Sequence, residues 1–262
     1  VGLCSYSVDN SGLLTFIDNV ASGACSAVWG DGTFIYALFG GGGVKSYSVD
    51  GSGNLTLIDS DDQGGVHNSI WGDGDFIYIA AGANGLYSYS VDGSGNLTFI
   101  DSDDQGGNYN GVYGDENYIY AAIGTSGLCS YSVDGSGNLT FVDNVDESGA
   151  SQGNYKVWAN SNYIYVADLD EGLQIYRADG SGNLTYLDTN SDIPTAYSVW
   201  GDGTYLYVTD DTNGLYSLAL SDSSGVIGIN GTTSTFDIFA DFANSGTFQL
   251  GGSTSGGGTN YT

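Results

Sequence analysis

Side chains able to do acid, base or nucleophilic chemistry are few in this chain and poorly placed for it. There is one histidine, His67, and one arginine, Arg177. The repeat described below puts His67 at the start of an innermost strand and Arg177 at the end of a third strand two repeats on. No Ser/His/Asp or Cys/His set can be gathered around them. The carboxylate pairs Asp61-Asp62 and Asp103-Asp104 have the groups for glycoside chemistry. They stand at equivalent places in successive repeats, however, as turn residues do, so no catalytic residue is expected.

Metal chemistry has a better claim. Asp92, Ser94, Asn96 and Thr98 offer oxygens at alternate positions, and Asp103 lies eleven residues past Asp92, as in a calcium loop. Leu97 stands where an EF-hand needs Gly, and the same residues also describe a long hairpin turn. Calcium is the one cofactor to weigh, with Asp168 and Asp170 beside Glu171, or Asp210 and Asp211, as alternative ligands. Glycosylation triplets begin at Asn54, Asn96, Asn138, Asn183, Asn230 and Asn260; the first four occupy one place in the repeat, in or beside a surface turn. Cys4 and Cys129 fall at equivalent positions, matched elsewhere by Lys45, Tyr87, Gln174 and Tyr216, and are expected near the surface. They are either small fillers or, facing opposite ways, links between neighbouring molecules. Cys25 is left unpaired or joined to Cys4.

These residues are positioned by a repeat of about 42 residues. Segments 85–98 and 127–140 differ at one position. A leading apolar residue falls at Leu3, Val44, Leu86, Leu128, Leu173 and Leu215, and an aromatic anchor at Trp29, Trp71, Tyr113, Trp158 and Trp200. Each unit reads as four short strands rich in aromatic and β-branched residues, separated by Gly, Asp, Asn and Ser. The second strand is apolar on both faces, as stacked sheets require. Four-stranded units of this length predict an all-β fold, a β-propeller of six blades in one domain over residues 1–250. Five blades are complete. The sixth is expected from residues 1–18 plus strands within 235–250, closing the ring from both termini or, alternatively, by exchange of terminal strands between subunits. Asn68, Asn110, Tyr155, Lys156 and Tyr197, on innermost strands, are the candidate channel lining, and His67 is expected to be a polar channel residue.

The chain carries 31 acidic residues against three Lys or Arg, a formal charge of −28. Nucleic acid and anionic membranes are therefore disfavoured partners, and packing of subunits calls for divalent cations or high salt. No apolar run is long enough to span a bilayer. The absence of Met and the start at Val1 read as a processed or partial product. Abundant Tyr, scarce Lys and recurrent Asn-x-Thr point to a secreted or cell-surface protein.

The phrase order, an aromatic strand, Asp-Gly, Tyr-Ile-Tyr-Val-Ala, Gly-Leu, Tyr-Ser-Val-Asp and Gly-Asn-Leu-Thr, is seen most fully in residues 71–101 and 200–218. It resembles the lactonase-like and LVIVD/YVTN-type propeller repeats over residues 1–230. The resemblance implies the fold; such repeats serve enzymes, adhesins and scaffolds alike. The Gly/Ser-rich tail, residues 251–262, has linker composition and is expected to contact a neighbouring subunit. The leading expectation is a non-catalytic extracellular propeller that assembles with copies of itself, as a filament subunit. Its contacts would draw on Cys4, Cys129, Phe236, Phe239, Phe248 and Tyr261. An adhesin binding carbohydrate (glycans) or protein is second, and a lactonase-like enzyme third.

Overall fold

The computed structural model describes residues 2–20, 23–115, 117–146, 154–220 and 227–229. Asn230, Phe236, Phe239, Phe248, Asn260 and Tyr261, the expected closing strands and the tail lie outside them, as does the side chain of Tyr155. The described chain is all-β, built of four-stranded antiparallel blades in sequence order.

A two-stranded hairpin comes first, β1 (Leu3–Val8) with β2 (Leu14–Val20). Blade one is β3 (Cys25–Gly30), β4 (Phe34–Phe39), β5 (Gly43–Val49) and β6 (Leu55–Asp61). Blade two is β7 (Ser69–Gly72), β8 (Phe76–Ala80), β9 (Leu86–Val91) and β10 (Leu97–Asp103). Blade three is β11 (Tyr109–Gly114), β12 (Ile119–Ile123), β13 (Gly127–Val133) and β14 (Leu139–Val145). Blade four is β15 (Asn154–Ala159), β16 (Ile164–Asp168), β17 (Gly172–Ala178) and β18 (Leu184–Asn190). Blade five is β19 (Ala196–Gly201), β20 (Tyr205–Asp210), β21 (Gly214–Leu220) and the short β22 (Ile227–Ile229). Five complete blades and a half blade, rather than six complete ones, are thus present among the described residues. The half blade corresponds to the third and fourth strands of the others.

The core lies between blades. Second strands such as β8 and β12 are buried on both faces because a blade stacks on either side of each. Their Tyr residues stack on the first-strand aromatic of the same blade, Trp71 on Tyr78 at 5.9 Å and Trp158 on Tyr165 at 5.8 Å. The indole then lies over the first-strand glycine of the following blade: a β-carbon on Gly114 would fall 2.4 Å from Trp71, and one on Gly201 2.5 Å from Trp158. Only glycine, or alanine below the smaller Tyr113, fits at this contact.

A second device joins the blades at their outer side. The third and fourth strand pairs of the half blade and of blades one to four carry a β-bulge, and beside it in the first four of these Ser5 faces Asp18, Ser46 faces Asp59, Ser88 faces Asp101 and Ser130 faces Asp143. Bulges re-aim side chains, and here both point at the next blade. The serine hydroxyls donate to the carbonyl oxygens of Gly53, Gly95, Gly137 and Gly182 at 2.6–2.8 Å. The carboxylates accept from the backbone N–H of Leu55, Leu97, Leu139 and Leu184 at 2.8–3.0 Å. The half blade grips blade one in the same way as blades one to three grip their successors, so it occupies a true blade position.

Candidate functional site

The channel mouth is built by the first strands, each of which bulges just before its aromatic anchor in blades one, three, four and five. In blades one and two the side chain three residues ahead of that anchor is committed to the next blade. Ser26 donates to the carbonyl of His67 at 2.8 Å, and Asn68 Nδ2 to that of Tyr109 at 2.9 Å. Asn68 and Asn108 also donate to Asn110 Oδ1, at 3.3 and 2.7 Å. Lys156 breaks the repeat, standing where the other blades have Ala27, Ser69, Gly111 and Ser198. Its ammonium reaches the carbonyl oxygens of Asn68 and Asn110 at 3.0 and 3.4 Å. Blade four is thereby tied to blades two and three, and burial lowers the Lys156 pKa. Asn68, Asn110 and Lys156 are thus brought together. Tyr197 is half exposed.

His67 departs from the expectation of a channel residue. Its ring is fully buried, edge-on to Tyr87 at 6.2 Å, and neither ring nitrogen has a hydrogen-bond partner. Burial pushes its pKa down, against a smaller opposing effect of Asp62. In the next blade the equivalent Tyr109 is long enough to meet the Tyr131 hydroxyl at 2.7 Å; the shorter imidazole has no such reach. In blade one the equivalent residue is Cys25, and there the Tyr47 hydroxyl is the buried group without a partner.

The calcium-loop residues are used by the turn itself. Asp92 Oδ1 accepts from the backbone N–H of Ser94 and Asn96 at 2.8 and 2.9 Å, and Oδ2 from Asn96 Nδ2 at 2.8 Å. The Asn96 side chain, then the backbone donors, hold the Asp92 carboxyl below its ordinary pKa. Gly95 in this turn has φ +85°, and a β-carbon there would strike Ile58 of the preceding blade at 2.7 Å. Asp103 pairs with Leu86 at the far end of the hairpin from this turn, so it cannot share a cation with Asp92. Asp168 is buried and accepts from the N–H of Asp170 and Glu171 at 2.8 and 3.0 Å. Burial works against ionisation of Asp210, but donors from Thr212, Thr195 and Asn213 hold its carboxyl well below the usual range. Among the described residues no three His, Cys, Asp or Glu side chains form a metal-holding group.

Asn54, Asn96, Asn138 and Asn183 are exposed, as glycan acceptors must be, and each Nδ2 donates to the Asp that opens its turn at 2.7–2.9 Å. All three thiols are free, so Cys4 and Cys25 are not joined. Cys129 is not near the surface: it is fully buried, and burial pushes its thiol up to about 12. The position is buried in neighbouring blades too, at Tyr87 and Gln174. Cys4 is half-buried and accepts from Asn19 Nδ2 at 3.1 Å. The signal for the Ser and Asp grips between blades was present in the sequence as their fixed spacing, but there it reads as turn and strand composition.

No protein-family model and no curated protein sequence matches the chain. Solved structures do. A protein from Lactobacillus plantarum is 16% identical with a TM-score of 0.72, the match covering 86% of this chain and 76% of that one. Virginiamycin B lyase from Staphylococcus aureus is 12% identical at TM-score 0.62, covering 83% and 74%. The WD40 β-propeller domain of Doa1 is 14% identical at TM-score 0.55, covering 76% and 66%. At these identities the likeness is one of fold alone, a β-propeller.

Proposed function

We propose that this β-propeller is a non-catalytic structural protein, secreted or on the cell surface, that assembles with copies of itself as the subunit of an extracellular filament. The observation that carries this reading is where the polar side chains go. The serines and aspartates of the bulges and the asparagines and lysine of the channel mouth are spent on holding blades together, and the aspartates of the turns on closing their own turns. An enzyme keeps such groups free to meet a substrate. In this proposal the ring has six blade positions, the sixth made from residues 1–18 and 235–250. Both ring faces carry turn carboxylates, so rings approach one another only with cations between them.

Electron microscopy of the native material, with and without chelator, tests the reading. Strings of ring-shaped beads that fall apart on chelation or at low salt are the expected result; isolated rings under all conditions overturn it. The second reading, a binding propeller or adhesin, is favoured by one feature: the Lys156 ammonium beside Asn68 and Asn110 is a polar group unique to one blade at the channel mouth. The virginiamycin B lyase likeness keeps an enzyme third, and turnover of a lactone would favour it over both.

A further inference from the structure

The Asn-Leu-Thr triplets of blades one to four sit in a turn that uses only part of them. Asp50, Asp92, Asp134 and Asp179 open these turns, and one oxygen of each carboxylate accepts from the backbone N–H two and four residues on, at 2.8–2.9 Å. The other oxygen takes one hydrogen from the side chain of Asn54, Asn96, Asn138 or Asn183. An amide nitrogen carries two hydrogens, so each asparagine keeps one in reserve. The threonines contribute nothing to the turn. The hydroxyls of Thr56, Thr98, Thr140 and Thr185 make no hydrogen bond among the described residues.

The surroundings leave room for a large attachment. In every triplet Asn and Thr are exposed, while the leucine between them turns toward the neighbouring blade, fully buried at Leu97, Leu139 and Leu184. A β-carbon on Gly51, Gly93, Gly135 or Gly180, beside the opening Asp, would meet no atom within 4 Å, so these turns stand clear of the rest of the ring. As equivalent turns between third and fourth strands, all four lie at the outer edge of one ring face. No other asparagine among the described residues has Ser or Thr two places on, and the half blade has Leu13 in the place of the asparagine.

We infer that Asn54, Asn96, Asn138 and Asn183 carry N-linked saccharides, which make a hydrated collar around the outer edge of one ring face. In the linking step Nδ2 bonds to the anomeric carbon of a saccharide supplied as a glycosyl phosphate. The phosphate leaves with the electron pair of the broken C–O bond, and Nδ2 gives up one proton while its other hydrogen stays. The inference rests on the secreted or cell-surface location proposed above. The collar is bulky and solubilising, and it holds that edge away from neighbouring rings.

The test is mass spectrometry of the full chain from its native source, as intact protein and as chymotryptic peptides fragmented to locate any saccharide. The expected result is the same added mass on at least three of the four asparagines. Saccharide on fewer than three, or on the threonines instead, overturns the inference. Thr98→Ala made in the same source should lose one saccharide, that on Asn96, and keep the others, with Tm within about 2 °C of the parent, as for an exposed substitution. Retention of the saccharide at Asn96 overturns the triplet as the recognised feature. Unmodified protein recovered outside the cell removes this inference and leaves the secreted location standing; unmodified protein confined within the cell removes both.

Discussion

Removing one blade-to-blade carboxylate should cost far more than removing a turn carboxylate. Asp101 Oδ2 accepts from Leu139 N–H at 3.0 Å, across the boundary between blades two and three, and Oδ1 accepts from Ser102 N–H at 2.8 Å. Leu139 is buried, so Asp101→Ala leaves its N–H without a partner away from water. A hydrogen bond to a charged acceptor contributes about 1.5–3 kcal/mol, and the exposed Ser102 contact adds little. The expected loss is about 2–3 kcal/mol, or about 4–12 °C in Tm for a domain of this size. Urea and thermal unfolding followed by tryptophan fluorescence give both numbers. Asp101→Asn keeps an acceptor oxygen and should recover about half of the loss. Asp92→Ala, whose bonds all lie within an exposed turn, should stay within about 1 kcal/mol. If Asp101→Ala and Asp92→Ala cost the same, the stacking of aromatic faces alone holds the blades, and the bulge grips contribute nothing.

The buried His67 gives a pH dependence of known sign. Its folded pKa lies below the ordinary value, so the unfolded chain takes up a proton that the folded chain refuses. Stability should therefore begin to fall as pH drops through about 6.5, above the range where the aspartates titrate. His67→Phe should flatten that part of the curve, as urea unfolding at a series of pH values would show; an identical slope in both proteins would place its cause elsewhere. Gly114→Ala should destabilise by about 1–3 kcal/mol through overpacking against Trp71 and Ile119. Gly93→Ala, with open space around it, should be close to neutral in the same melting experiment.

The fold was legible because local chemistry repeats with the structure. Asp-Gly-Ser-Gly-Asn marks the third hairpin turn of blades one to four, the doubly apolar second strand marks stacking, and the five aromatic anchors give the count of complete blades. The site was legible only in part. Asn68, Asn110 and Lys156 share the channel mouth because the first strands present them in register. The reach of Lys156 across to two other blades depends on ring curvature, which no local pattern encodes. Asp92 and Asp103 looked like one loop because sequence spacing ignores that a hairpin carries its two ends apart. His67 was misplaced because its neighbours in the repeat vary from Cys to Tyr, and side-chain length decides whether a residue there finds a partner. Cys129 was misplaced because polar Lys45 and Gln174 at its equivalent positions read as surface, although Gln174 is itself buried between blades.

The direction of the bulge grips has an evolutionary consequence. The half blade and blades one to three each present an acceptor carboxylate and a donor hydroxyl forward, and blades one to four each offer a turn carbonyl and N–H backward. A plug and its socket therefore travel together in blades one to three. Duplicating or deleting one of these three units leaves every such joint matched, with no compensating substitution anywhere else. A lineage carrying this module can change its number of blades in a single recombination event, and only the junction where the last plug meets the first socket must be refitted.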